Sequence, residues 1–149
     1  TCSQGQIKNY LGRISKPLLD RIDIFTETII LKYGEISNSD KGENSYDVRK
    51  RIEKVHHIQK ERYKNDGILF NSELSAGMIK RYCVMDNEAK EYLENIFENM
   101  EFSARAYHKV LKTARTIADM DESGEIKRKH ISEAVCYRTA DKKYWGVTM

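Results

Sequence analysis

At 149 residues and 17.4 kDa, with 40% hydrophobic and 33% charged residues, the chain has material for one modest core plus appendages, not for a large multidomain enzyme. No run of about 18 apolar residues occurs, and the opening Thr1-Cys2-Ser3 lacks the apolar centre of a secretory signal, so membrane-spanning and secreted classes are excluded and a cytoplasmic protein is expected. A count of 26 Lys and Arg against 23 Asp and Glu leaves only +3, too even a balance to name a partner, and three cysteines without a C-x-x-C pair make neither a disulfide framework nor a complete zinc site.

A single proline, Pro17, and long stretches of Lys, Glu, Arg and Ala make the expected fold mainly helical. The first element is a short capped helix over 15–21, with Pro17 in its first turn. Residues Ile22 to Leu31 are rich in β-branched and aromatic types and predict the one strand. The polar run from Gly34 to Asn44 is a linker, dividing residues 1–44 from 45–149.

Beyond Ser45 the apolar spacing predicts helices. The first runs from Tyr46 to Lys64, with Val48, Ile52, Val55 and Ile58 inward, and a short one follows Ser75 to Tyr82. The third, Asp86 to Met100, buries Ala89, Leu93, Ile96, Phe97 and Met100 and shows an acidic face of Glu88, Glu91, Glu94 and Glu98. Ser103 to Met120 presents Tyr107, Val110, Leu111, Ala114, Ile117 and Ala118 on one side, and a last helix spans His130 to Arg138. Amphipathic helices of this number pack as a bundle.

On the Ser103–Met120 helix, Arg105, His108, Lys109, Lys112 and Arg115 fall within an arc of roughly 120° with no acid among them. Such a stripe is either a solvated face or a phosphate-binding one. Arg105 stands out because it lies in the first turn, where free N–H groups and the helix dipole also favour an anion and where a planar guanidinium can donate two parallel hydrogen bonds to phosphate. Lys109, Lys112 and Arg115 are the further candidates for nucleic-acid contact. The basic residues Arg49, Lys50, Arg51, Lys54, Lys60, Arg62 and Lys64 are diluted by Asp47, Glu53 and Glu61 and read as solvated helix surface.

The run Asp119 to Ile126 imitates the start of an EF-hand loop, but its ninth position is Lys127 and its twelfth is His130, so calcium is not expected; a Gly-containing turn between helices is. His56, His57, His108 and His130 lack the spacing of a metal or nucleophile site and read as surface or capping residues. No G-x-x-x-x-G-K-[ST], G-x-S-x-G or glycine-rich dinucleotide motif occurs, so no self-contained catalytic centre is expected.

Three runs carry a family resemblance. They are Cys2 to Ile7 continuing through Tyr10-Leu11-Gly12-Arg13-Ile14-Ser15-Lys16-Pro17-Leu18-Leu19-Asp20-Arg21-Ile22-Asp23, then Phe102-Ser103-Ala104-Arg105-Ala106-Tyr107-His108-Lys109 through Asp119, and His130-Ile131-Ser132-Glu133-Ala134-Val135-Cys136-Tyr137-Arg138. In order and spacing the chain resembles the magnesium-chelatase-like AAA+ ATPases of the ComM/YifB type over nearly its whole length. The resemblance implies the carboxy-terminal part of a larger ATPase, to which a start at Thr1 rather than Met also points. A short α/β remnant of the AAA+ core with the arginine-finger segment would be followed by a helical lid.

On that resemblance Arg21 is the arginine finger acting in trans, Asp20 supports it, Arg13 is a weaker interface candidate, and Arg105 is the sensor-2 residue contacting the γ-phosphate of its own subunit's ATP. ATP and Mg²⁺ belong to the full-length protein, none being tightly held by this chain alone. The implied partners are the protein's own upstream core with its Walker A lysine and Walker B acids, neighbouring subunits of a homo-hexamer, and DNA as the remodelled substrate, with competence-linked branch migration as the analogy; no membrane is implied. Lys16 replaces the family's usual Gly, and Phe25-Thr26-Glu27-Thr28-Ile29 replaces a His-Val-Glu-Val-Pro-like strand. Cys2 looks like the survivor of an upstream cysteine cluster, and no metal site is assigned. The alternative is a stand-alone helical module that binds nucleic acid or protein through the basic stripe, and a third reading is a helical domain without a ligand.

Overall fold

The computed structural model describes residues 3–31, 33–34, 42–100 and 102–145; Cys2 lies outside them. Seven α-helices are present among these residues: α1 (Gln4–Leu11), α2 (Lys16–Leu19), α3 (Ser45–Tyr63), α4 (Ala76–Tyr82), α5 (Asn87–Met100), α6 (Ala104–Met120) and α7 (Arg128–Trp145), with a 3₁₀ turn at Asn71–Glu73. Four of the starts have a sequence-readable reason. Asn44 accepts from the Tyr46 and Asp47 N–H groups at 3.0 Å, Ser75 from Met78 at 3.4 Å, Asp86 from Ala89 at 2.8 Å and Ser103 from Ala106 at 3.1 Å. The last helix continues past Arg138, where its expected end lay, to Trp145.

The central element is α6, which packs against α3, α4 and α7 and buries Ala106, Val110, Leu111, Ala114, Ile117 and Ala118. Leu93 of α5, Ile79 of α4 and Ile131, Ala134 and Val135 of α7 close the core around it. An isolated parallel bridge between Met85 and Ile126 ties the loop before α5 to the loop before α7, through Ile126 N–H to the Val84 carbonyl at 2.8 Å. No described helix is long and apolar enough to cross a membrane.

Two expectations change. Residues 22–31 form no strand, because a strand exists only by pairing its backbone with another and no described strand lies beside them. On α3 the inward residues are Val55, Gln59 and Tyr63, while Ile52 is exposed. The connection after α6 contains Gly124, as expected, but its left-handed position is Glu122: that residue adopts φ 53°, and the Glu122 and Ser123 N–H groups return to the Asp119 and Ala118 carbonyls at 3.1 and 2.8 Å, which is a Schellman closure.

Because Glu122 occupies a left-handed conformation that only glycine adopts freely, Glu122→Gly is expected to be more stable than Glu122→Ala by about 1 kcal/mol. Both variants lose the same exposed Lys54 pair, so urea midpoints compare the backbone term alone.

Candidate functional site

Arg105 is the second residue of α6, one residue inside the Ser103 cap. Its side chain is exposed and makes no hydrogen bond or ion pair with the described residues. The other cations of the expected stripe are engaged. Lys109 donates to the Arg21 carbonyl at 2.6 Å and to the Asp23 carboxylate; Lys112 donates to the Ser72 carbonyl at 2.8 Å. Arg115 is 1% exposed, so it is not a surface cation: its guanidinium meets Asp119 and the carbonyls of Ser123 and Gly124. The stripe is therefore not an unshielded phosphate track. Asp119, one turn beyond Arg115, falls on the same arc and supplies the acid.

Arg21 follows α2 in a turn closed by its own N–H to the Leu18 carbonyl at 2.9 Å and by Ile22 N–H to the Leu19 carbonyl at 3.1 Å. Leu19 is buried at 2% exposure, Asp20 is half-buried, and the Arg21 and Arg13 side chains stay in solvent. The segment that follows is held by the bundle. Arg138, 2% exposed, donates to the Ile22 carbonyl and stands 5.3 Å from the Phe25 ring, and Phe25 N–H donates to the Tyr137 carbonyl at 2.9 Å. Arg21 and Arg105 thus belong to elements joined through Lys109.

A buried polar network lies behind α6, and sequence periodicity does not reveal it. The Asp119 carboxylate, fully buried, receives a two-pronged contact from Arg62, a second guanidinium from Arg115, and the Asn71 amide at 2.9 Å. Asn71 also accepts from the Tyr63 hydroxyl at 2.5 Å, and its backbone N–H donates to Gln59 at 3.1 Å. Arg62 is thus no solvated surface residue. Burial alone would lower its pKa, but the hydrogen bond and charge of Asp119 outweigh that and raise it further. The one sequence signal was the Arg115/Asp119 spacing of four; Gln59 and Asn71 look like ordinary surface amides.

His130 is a buried cap, not a surface residue. Its Nδ1 accepts from the Lys127 N–H at 3.0 Å, which leaves the proton on Nε2, 3.1 Å from Asp121. Asp121 also receives Lys129 at 2.6 Å, so the residues of the EF-hand lookalike are consumed internally. Hydrogen bonds from Lys129 and then His130 hold the Asp121 carboxyl below its ordinary 3.8. A folded-state pKa below the unfolded one adds stability that is present above about pH 4 and is lost as pH falls through the folded value. Asp121→Asn should accordingly flatten the acid limb of a melting-temperature profile below that pH, and an unchanged limb would refute the assignment.

Burial pushes the Cys83 thiol up to about 11, which makes it an inert packing group rather than a nucleophile. Among the described residues no three His, Cys, Asp or Glu side chains converge on a point that could hold a metal.

Taken together, these features define a helical domain with an arginine at the first turn of its central helix and a preceding arginine-bearing turn strapped to it. The chain belongs to the magnesium chelatase ChlI family: residues 42–138 match the family's C-terminal domain model, and residues 1–36 match the model of magnesium chelatase subunit ChlI. It is 37% identical over 142 residues to the uncharacterized protein YifB of Salmonella typhimurium, covering 95% of this chain and 27% of that protein. It is 39% identical over 137 residues to the competence protein ComM of Haemophilus influenzae, covering 91% of this chain and 26% of ComM. The chain therefore spans about a quarter of the length of these relatives.

Proposed function

We propose that this chain is the carboxy-terminal part of a magnesium-chelatase-like AAA+ ATPase, in which Arg105 acts as sensor 2 and Arg21 as an arginine finger in trans. The observation that carries the reading is the contrast along α6. Lys109, Lys112 and Arg115 spend their charge on internal acceptors, while Arg105 is exposed at the helix start with no described partner. A guanidinium there, beside free N–H groups and the positive end of the helix dipole, suits the γ-phosphate of ATP. The same contrast weakens the stand-alone nucleic-acid module, since three of its cations are already taken.

ATP is the substrate and Mg²⁺ the metal of the whole assembly, the metal neutralising phosphate charge when bound. The described residues fit the phosphoryl oxygens and not the cation, so the acids that hold Mg²⁺ and the Walker A lysine belong to the upstream core. Arg105, contacting a γ-phosphate present only before hydrolysis, gives the two nucleotide states different contacts and hence different lid positions. By its likeness to the ComM/YifB type, the complete protein is a cytoplasmic homo-hexamer remodelling DNA.

The test is ATP hydrolysis by the full-length protein with Arg105→Ala. Turnover is expected to fall by about 10²-fold or more, as when a preorganised charge contact to the reacting group is removed. Unchanged turnover would make Arg105 a surface charge and sink the sensor-2 assignment.

A further inference from the structure

Residues 21–25 have neither helix nor strand, yet the bundle holds their backbone at successive points. The Arg21 carbonyl accepts from Lys109, the Ile22 carbonyl from Arg138, and the Phe25 N–H donates to Tyr137. Of these holders only Lys109 sits on α6, four residues and one turn from Arg105, on the same helix face. Its side chain is only 16% exposed, and an ammonium is withdrawn from water to that degree only where acceptors replace the lost hydration; here they are the Arg21 carbonyl and the Asp23 carboxylate.

We propose that Lys109 is a positioning residue that couples the two arginines. A shift of the first turns of α6, as Arg105 gains or loses its phosphate, carries the Lys109 ammonium with it. The ammonium grips the backbone of Arg21 itself, so the finger follows. Because a finger in trans serves the neighbouring subunit's ATP, Lys109 makes the nucleotide state of one site felt at the next, and its consequence is cooperative hydrolysis. This rests on the ATPase reading above.

The experiment measures steady-state ATP hydrolysis, ATP affinity and melting temperature for the full-length protein as wild type, Lys109→Met, Lys109→Arg, Asp23→Ala, Arg21→Ala and Arg105→Ala. Lys109→Met is expected to lower kcat by roughly 10-fold or more through a misplaced finger, to bring the Hill coefficient to unity, and to leave ATP affinity unchanged. Lys109→Arg, which keeps a donor of similar reach, should restore much of both. Asp23→Ala, at an exposed position outside the core, removes one arm of the latch and should lower the Hill coefficient even if Lys109→Met proves too unstable to assay. Wild-type kcat and Hill coefficient in Lys109→Met, or in Asp23→Ala where the first is unfolded, overturn the coupling while inactive Arg21→Ala and Arg105→Ala keep the ATPase reading. A Hill coefficient of unity in the wild type also overturns it. Full turnover in both arginine variants removes the ATPase reading and the coupling with it.

Discussion

Replacing Asp119 by Ala should cost about 3–5 kcal/mol of folding stability, the amount typical of stranding a buried charge. The size follows from what is left behind. Arg115 is 1% exposed and Arg62 about one-fifth exposed at the side chain, so removal of the carboxylate they share leaves one buried and one largely buried guanidinium without their counter-charge. The Asn71 amide loses an acceptor as well. These groups join α3, the 3₁₀ turn and α6, with Arg62 keeping partial access to water, so the loss is shared among three elements. Urea unfolding of Asp119→Ala measures it. The double variant Asp119→Ala/Arg62→Ala should cost less than the sum of the two single changes, because one stranded cation goes with its partner. A midpoint shift equivalent to less than about 1 kcal/mol would show that water reaches these cations and that the network is not a buried one.

The second large effect concerns chemistry rather than stability. Arg21→Ala in the full-length protein should lower ATP turnover by about 10³–10⁵, the range found when an arginine finger is removed from nucleotide hydrolysis. Its side chain is exposed and bonds to no described residue, so the bundle should fold unchanged and ATP should still bind. On the proposed role, the variant lacks a cation positioned against charge developing on the transferred phosphoryl group. A finger that acts in trans has a further consequence that a cis residue does not share. Mixing inactive Arg21→Ala subunits with wild type should depress turnover more than in proportion to the fraction added, because each variant disables its neighbour's site. Activity falling only in proportion would place Arg21 in its own subunit's site, and full activity would remove it from catalysis.

Residues of the candidate site and of the buried network differ in how far the sequence reveals them. Arg21 and Arg105 are legible because they stand in family-specific runs and, for Arg105, because a helix start is recognisable from Ser103 and the apolar spacing that follows. For Asp119 the sequence offers a false EF-hand match and the spacing of four from Arg115, and neither reveals its burial. Nothing in a linear sequence distinguishes a carboxylate on a solvated turn from one gripped by Arg62, 57 residues away. The engagement of Lys109 is hidden for the same reason. Its acceptors lie 86 and 88 residues upstream, in a segment whose composition spoke for a strand.

The helices from residue 45 to the last turns of α6, and the buried faces of α5 and α6, are readable along the chain, because they depend on neighbours within four residues. The sequence also carried the family assignment. Which cations of α6 are engaged, and what holds residues 21–25 in the absence of a strand, emerge only from the folded arrangement. Each of those outcomes depends on which groups meet across the fold, since a buried charge keeps its place only where a distant partner replaces the water it has lost.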